Sequence, residues 1–222
     1  MASRSVLITG FAPYGGRGLN PAHQVATALD GQTIAALEVV GRVLPVSYKE
    51  LRDRIRAALD EVDPAIVIGL GLWPGEPMIR LERLAANLAD FEIPDNAGAY
   101  IRETPIVESG PAALLATLPL GRIEAALLDA GIPARISNTA GSFLCNATLY
   151  STLSLAGDED RLCGFIHLPY LPAQVSELLR QQRSERQLEL HQRADLASMD
   201  LGTMVEAVRI AVSVSADSAA SA

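Results

Sequence analysis

Cysteine and histidine are scarce in this 222-residue chain, with two of the first and three of the second, and one of each falls where a nucleophile and its base would stand. Cys145 follows a turn of small residues, Thr139-Ala140-Gly141-Ser142, and lies at the start of a segment with helical spacing. The first turn of a helix has backbone N–H groups without intrahelical acceptors and the positive end of the dipole. Both stabilise a thiolate, and the same N–H groups can hold an oxyanion. A cysteine in Ser142-Phe143-Leu144-Cys145 is equally compatible with a small core residue, because free cysteine is among the most buried residue types. His167 closes the apolar run Cys163 to Leu168, so it projects at the carboxyl end of a strand, as a general base or as a satisfied core histidine. His23 lies in the first predicted helix and His191 in a strongly polar one, and both read as solvated. Glu82, in Arg80-Leu81-Glu82-Arg83-Leu84, is either the third group that orients a base or one half of an ion pair with a neighbouring arginine. Cys163 and His167 are four residues apart on one strand face, with Cα atoms roughly 13 Å apart, and do not make a catalytic pair by themselves.

Other chemistries are poorly served. The loop Gly10 to Arg17 is glycine-rich but lacks the Gly-Lys-Ser/Thr ending of a phosphate loop, and no Gly-x-Ser-x-Gly elbow occurs. A nucleotide-binding enzyme survives as a competitor on that loop alone. The histidines are scattered and neither cysteine has a ligand partner at zinc spacing, so no metal is expected. With 18 basic against 26 acidic residues the net charge is −8, which makes nucleic acid and anionic membranes poor partners. No stretch approaches eighteen consecutive apolar residues, and Met1-Ala2-Ser3-Arg4 runs into a strand without signal-peptide features. The expectation is a cytoplasmic protein whose two cysteines are free thiols.

These residues need elements to position them. The pattern predicts a buried strand over Arg4 to Thr9, then a glycine-rich loop and a helix capped by Asn20, with Pro21 at its first position and Gly31 as its stop. A β-rich stretch from Thr33 to Val46 precedes a helix opened by a Ser47/Glu50 capping box and closed at Asp63-Pro64. Ala65 to Gly71 reads as a central parallel strand, Met78 to Asp90 as a further strand, and Ile93 to Gly98 as a turn. Helical patterns cover Pro111 to Leu118, Arg122 to Ala130 and Phe143 to Ala156, with short strands at Ala134 to Asn138 and Cys163 to Leu168. Two more helices, near Ala173 to Arg193 and Ser198 to Val214, end the chain. The implied fold class is α/β: one hydrolytic domain over residues 1–215 with a twisted, mostly parallel sheet and helices on both faces, then a disordered tail over 216–222. In such sheets a site forms beyond the carboxyl ends of the strands, where the loops after Gly10, Gly71, Asn138 and Leu168 all fall.

Four ordered segments together resemble the pyroglutamyl peptidase I family, also called pyrrolidone carboxyl peptidases. They are Val6-Leu7-Ile8-Thr9-Gly10-Phe11-Ala12-Pro13-Tyr14-Gly15-Gly16 with Asn20-Pro21; Glu82-Arg83-Leu84-Ala85 with Ile93-Pro94-Asp95-Asn96 and Gly98; Thr139 to Asn146; and Gly164-Phe165-Ile166-His167-Leu168-Pro169 with Pro172 and Gln174. The resemblance implies a cysteine peptidase that removes an N-terminal 5-oxoproline: Cys145 attacks the pyroglutamyl carbonyl, His167 protonates the leaving amine, Glu82 holds the imidazole in its tautomer, and no cofactor takes part. It implies a substrate site formed by Phe11, Tyr14, Asn20, Ile93 and Phe143, whose aromatic and apolar faces suit a flat lactam ring. It also implies self-association, up to a tetramer. The chain departs from the pattern at Tyr14, where phenylalanine is usual, at Leu72-Trp73-Pro74-Gly75-Glu76, where Gln-Ala-Gly-Gly-Arg or close to it is usual, and at Glu92, where an arginine is usual. A site that relied on hydrogen bonds to the lactam loses about 10⁴-fold in preference when they go. A relative acting on another small amide with the same triad, and a non-catalytic homologue that binds a small ligand, are therefore the alternatives.

Overall fold

Along the central strands, odd and even positions face different sets of helices, and this alternation builds two cores. The computed structural model describes residues 5–156, 161–185 and 196–220. Its strands are β1 (Ser5–Phe11), β2 (Thr33–Ile34), β3 (Leu37–Leu44), β4 (Ile66–Leu72), β5 (Ile79–Glu82), β6 (Leu84–Ala86), β7 (Ala113–Leu115), β8 (Ala134–Ser137) and β9 (Leu162–Leu168). Its helices are α1 (Pro21–Leu29), α2 (Tyr48–Val62), α3 (Leu120–Asp129), α4 (Leu144–Ala156), α5 (Pro172–Glu185) and α6 (Leu201–Ala219). Seven strands form one sheet in the order β2-β3-β1-β4-β9-β5-β8. The run β3-β1-β4-β9 is parallel throughout, and β5 is antiparallel to β9 but parallel to β8. The fold is thus an α/β architecture with a mostly parallel sheet.

Val6, Ile8, Ile66, Ile68, Leu70, Ile166 and Leu168 pack with Val25, Leu29, Ile123, Leu127, Met204 and Val208 of α1, α3 and α6. On the opposite face Leu7, Phe11, Val67, Cys163 and Phe165 pack with Leu51, Ile55, Ala147 and Tyr150 of α2 and α4. Each large side chain buried in this way contributes about 1.5–3 kcal/mol. The α1 backbone lies directly on β1, since a Cβ on Gly10 would come within 2.1 Å of the Ala22 carbonyl oxygen. The expected cap is there: Asn20 Oδ1 accepts from Ala22 N at 3.0 Å.

Several expectations give way to tertiary pairing. The segment Met78 to Asp90 is two short strands, β5 in the main sheet and β6 in a separate two-stranded sheet with β7. The expected helix over Pro111 to Leu118 instead contains β7, whose exposed, half-buried, exposed alternation meets β6 antiparallel; the helix propensity of Ala and Leu yields to that pairing. Ser47 makes no side-chain cap. Asp95, distant in sequence, accepts from Tyr48 N at 2.7 Å in its place. Helix α6 continues to Ala219, so it takes in four residues assigned to the tail. The end of the helix expected over Ala173 to Arg193, His191 within it, lies outside the described residues.

Candidate active site

The carboxyl ends of β1, β4 and β9 converge on the first turn of α4, and a cavity of about 320 Å³ opens between them. Cys145, the second residue of α4, lines it with His167 from the end of β9. Phe11, Tyr14, Asn20, Ile93 and Phe143 line the same cavity, so the five positions read as a substrate site are brought together around the thiol. Glu82 does not reach the cavity wall. Because β5 runs antiparallel to β9, Arg80 stands opposite His167 and Glu82 opposite Phe165, one step deeper. From there Glu82 Oε1 pairs with His167 Nδ1 at 2.8 Å.

The segment around Cys145 is held at several points. Ser142 Oγ donates to Asp90 O at 2.6 Å and Asp90 N donates to Ser142 O at 3.0 Å. Phe143 packs edge-on against Phe91 at 4.5 Å, and Phe91 against Tyr48 at 5.4 Å. Buried Asn146 donates to the carbonyls of Ala86 and Leu88 and accepts from Ala86 N, fastening α4 to β6. Backbone N–H groups of Leu144 and Cys145, in the first helical turn, have no acceptor one turn earlier within the helix. The Ile93-Pro94-Asp95-Asn96 turn is tied equally well: Asp95 Oδ1 accepts from Ala97 N and Ala99 N, and Asn96 Nδ2 donates to Pro13 O at 3.0 Å. These bonds place Ile93 against the loop that carries Tyr14. Asn20 has both side-chain polar atoms engaged within the fold, with Nδ2 donating to Ala12 O at 3.1 Å, so it shapes the wall rather than offering a free donor.

Sequence reading missed three features. Gly71 lies against Cys145, and a Cβ there would meet its Sγ at 2.7 Å and the Phe165 ring at 2.9 Å. Glycine at alternate positions of a buried strand, Gly69 and Gly71, was the available signal for a close approach. Trp73 covers the other side of His167, edge-on at 5.0 Å, while Phe165 tilts beneath it at 4.9 Å. Arg80 is buried among Glu76, Glu82 and Ser137, and its spacing of two from Glu82 marks a shared strand face.

Burial depresses the His167 imidazole, as does Arg80, and together these outweigh the hydrogen bond and charge of Glu82 and the charge of Glu76. Burial alone would raise the Glu82 carboxyl, yet the hydrogen bond and charge of His167, with Ser137 and Arg80, hold it below its ordinary value. The Cys145 thiol is pushed up to about 12, first by burial and then by the charge of Glu82, against a smaller lowering by its own backbone N–H. The thiolate expected from the helix N-terminus is therefore outweighed. The resting arrangement is a thiol, a neutral imidazole and a carboxylate. Tyr14 is likewise raised to about 12 by burial, Cys145 and Tyr170 against Arg17, so its hydroxyl keeps its proton. Among the described residues no group of three or more His, Cys, Asp and Glu side chains is placed to hold a metal ion, and no helix is long and apolar enough to cross a membrane.

The family described as pyroglutamyl peptidase matches residues 4–218. The chain belongs to that family. The pyrrolidone-carboxylate peptidase of Pyrococcus furiosus is 44% identical over 172 residues, covering 77% of this chain and 83% of that protein. The Erwinia tasmaniensis protein of the same name is 37% identical over 212 residues, covering 96% and 92%. Among solved structures, pyrrolidone carboxyl peptidase from Thermococcus litoralis superposes with a TM-score of 0.88 at 41% identity, covering 96% of this chain and 94% of that one. A mutant pyrrolidone carboxyl peptidase from the hyperthermophile Pyrococcus furiosus gives 0.89 at 38%, covering 96% and 99%. As a member of the pyroglutamyl peptidase family the chain is a cysteine-type exopeptidase.

Proposed function

We propose that the protein removes N-terminal pyroglutamate from peptides, with Cys145 as nucleophile, His167 as general base and then acid, and Glu82 as the group that orients His167. The observation that carries this reading is the 2.8 Å contact between His167 Nδ1 and Glu82 Oε1 behind a cavity that Cys145 and His167 both line. With Nδ1–H donating to the carboxylate, Nε2 keeps its lone pair and can take the thiol proton as sulfur attacks the carbonyl carbon. A neutral thiol and imidazole at rest mean that this proton moves with the attack. The oxyanion forms beside the first turn of α4, whose N–H groups can receive it. Collapse breaks the C–N bond, imidazolium gives its proton to the leaving amine, and a water deprotonated by His167 then hydrolyses the thioester to 5-oxoproline and free thiol.

Phe11, Ile93 and Phe143 supply apolar walls for a lactam ring, and the protonated Tyr14 hydroxyl supplies a donor. The two free cysteines suit a reducing compartment, and we place the activity in the cytoplasm. Release of a fluorophore from a pyroglutamyl amide by wild type but not by Cys145→Ala is the expected result. If that amide stays intact while another small amide is cleaved in a Cys145-dependent manner, Trp73 and Glu92 have redirected the substrate and the pyroglutamyl reading is lost. Iodoacetamide labelling of Cys145 that His167→Ala suppresses supports the enzyme over a small-ligand-binding homologue, and a shift in melting temperature with nucleotides points to the glycine loop instead.

A further inference from the structure

The side-chain donors His167 and Arg80 converge on one oxygen of Glu82. Oε1 takes both His167 Nδ1 at 2.8 Å and Arg80 Nε at 3.0 Å, whereas Oε2 is buried with no hydrogen-bond partner among the described residues. The Ser137 hydroxyl nearby donates to Thr139 O at 3.1 Å. Left to itself, a carboxylate with one engaged oxygen can turn about its last torsion and let the imidazole drift. Arg80 opposes that turn. Its guanidinium bonds four groups at once: Nε to Glu82, Nη1 to Glu76 Oε2 at 3.2 Å, and Nη2 to Ser137 Oγ at 2.7 Å and to the Thr139 carbonyl at 2.8 Å. Thr139 begins the segment that leads to Cys145. The same guanidinium stacks on the Trp73 ring at 3.7 Å, and Trp73 packs edge-on against His167.

We propose that Arg80 is a positioning residue that locks Glu82, the Trp73 cover of His167 and the segment ahead of Cys145 into one rigid unit. The inference rests on the triad reading above. Arg80 touches no reacting atom and does not line the cavity; it acts through the groups that do. Only a planar fork with donors in fixed directions meets four acceptors in this way, and a lysine, as a point charge, cannot. Glu76 completes the arrangement. Its Oε2 also takes Arg135 Nη2 at 2.7 Å, so the buried charges around Arg80 are paired on both sides. The charged or titratable groups facing His167 are Glu82 and Arg80 from β5, Glu76 from the loop before it and Cys145 from α4. Arg80 lowers the imidazole and the Glu82 carboxyl together.

The test measures Arg80→Lys beside wild type on a pyroglutamyl amide. The expected result is a fall in kcat of on the order of 10²-fold with KM little changed, since misplacement of about 1 Å costs that much. In Arg80→Ala the acid limb of kcat/KM moves to higher pH, because His167 loses the cation that helped to keep it neutral. In Arg80→Ala, millimolar guanidinium restores part of kcat. If the single exchange lowers the melting temperature below the assay range, the paired exchange Glu76→Gln with Arg80→Gln removes the two opposing charges together and is read by the same fall in kcat. Wild-type kcat and an unmoved acid limb in a folded Arg80 variant overturn the inference while leaving the triad intact. Activity that survives Cys145→Ala overturns the triad reading itself, so the two failures are distinct.

Discussion

The two cysteines make an instructive pair, because burial raises both thiols while their surroundings differ. Burial pushes each up to about 12. Cys145 has the charge of Glu82 against it as well, while Cys163 is partly relieved by Arg161. Cys163 is 1% exposed near the start of β9, above a cavity of about 170 Å³ lined by Leu114, Leu115, Leu153 and Ala156. Cys145 stands at a helix start beside a cavity of about 320 Å³ that also admits His167. A depressed pKa does not distinguish them. What distinguishes them is an imidazole and open room in the same cavity, so under the proposed triad reactivity belongs to the arrangement rather than to the thiol.

Replacing each cysteine in turn is the most direct way to break that comparison. Cys145→Ala is expected to lower kcat on a pyroglutamyl amide by on the order of 10⁴-fold, the scale of losing one member of a triad. Cys163→Ala is expected to leave kcat unchanged and to cost about 1 kcal/mol of stability for the small void it leaves, read from denaturant unfolding. Comparable losses from both would mean that position within the cavity does not matter. Gly71→Ala comes next. The new methyl carbon would stand 2.7 Å from Cys145 Sγ, so sulfur or strand has to move, and kcat is expected to fall on the order of 10²-fold. Retention of full activity would show that the sulfur tolerates displacement and that its seat against β4 is incidental.

Much of this arrangement was legible before any coordinates. Short apolar runs located β1, β4 and β9, and Asn20-Pro21 located the start of α1, because burial and capping are local and leave a periodic or positional mark. The residues around the thiol were legible too, but chiefly through their ordered likeness to one family. Local physics left Cys145 and His167 each with a bland alternative. What stayed hidden depends on contacts between distant segments. Asp95 caps α2 across 47 residues, which no window around Ser47 can reveal. The reversal of β5 decides that Arg80 faces His167 and that Glu82 lies deeper, and strand direction is absent from composition. The break at Arg83, which sends β6 into a second sheet with β7, is equally a matter of pairing. Even the sign of the Cys145 shift was misread, because a helix terminus is visible in sequence whereas the burial that outweighs it is not.

The pH dependence of stability sharpens the comparison further. Each thiol is raised in the fold, so the folded state holds its proton where the unfolded chain has lost it, and stability falls as pH rises from about 9 toward 12. The slope is at most about 1.4 kcal/mol per pH unit for each thiol. His167 and Glu82 act in the opposite direction. Both are lowered in the fold, so the unfolded state binds more protons and stability falls as pH drops below about 6.5 for the first and about 4.5 for the second. Melting temperatures from pH 4 to 11 are expected to form a dome. Either cysteine-to-alanine exchange flattens its alkaline side, and His167→Asn flattens the acid side between pH 7 and 5. An alkaline side that flattens in one cysteine variant and not in the other would show that the two thiols are not held alike.

The smallest expected effect lies at the rim. Asp90 is held by Arg102 at 3.0 Å, but Glu92 is exposed, lines the Cys145 cavity and belongs to a chain of net charge −8. Among the described residues, the wall of the Cys163 cavity has Arg161 and no carboxylate. An acidic rim favours substrates whose residue after the scissile bond is basic, through encounter more than through bound-state energy, since an exposed charge is well screened. Peptides with lysine or arginine in that place are expected to exceed those with glutamate by about 3-fold to 10-fold in kcat/KM at low salt. Glu92→Lys reverses the order, and added salt shrinks it in both proteins. The effect resides in kcat/KM and leaves kcat alone, because the carboxylate guides the leaving peptide's approach without touching sulfur or imidazole. A preference for basic peptides that persists in Glu92→Lys and in high salt would move its origin from the rim charge to the aromatic walls around the thiol.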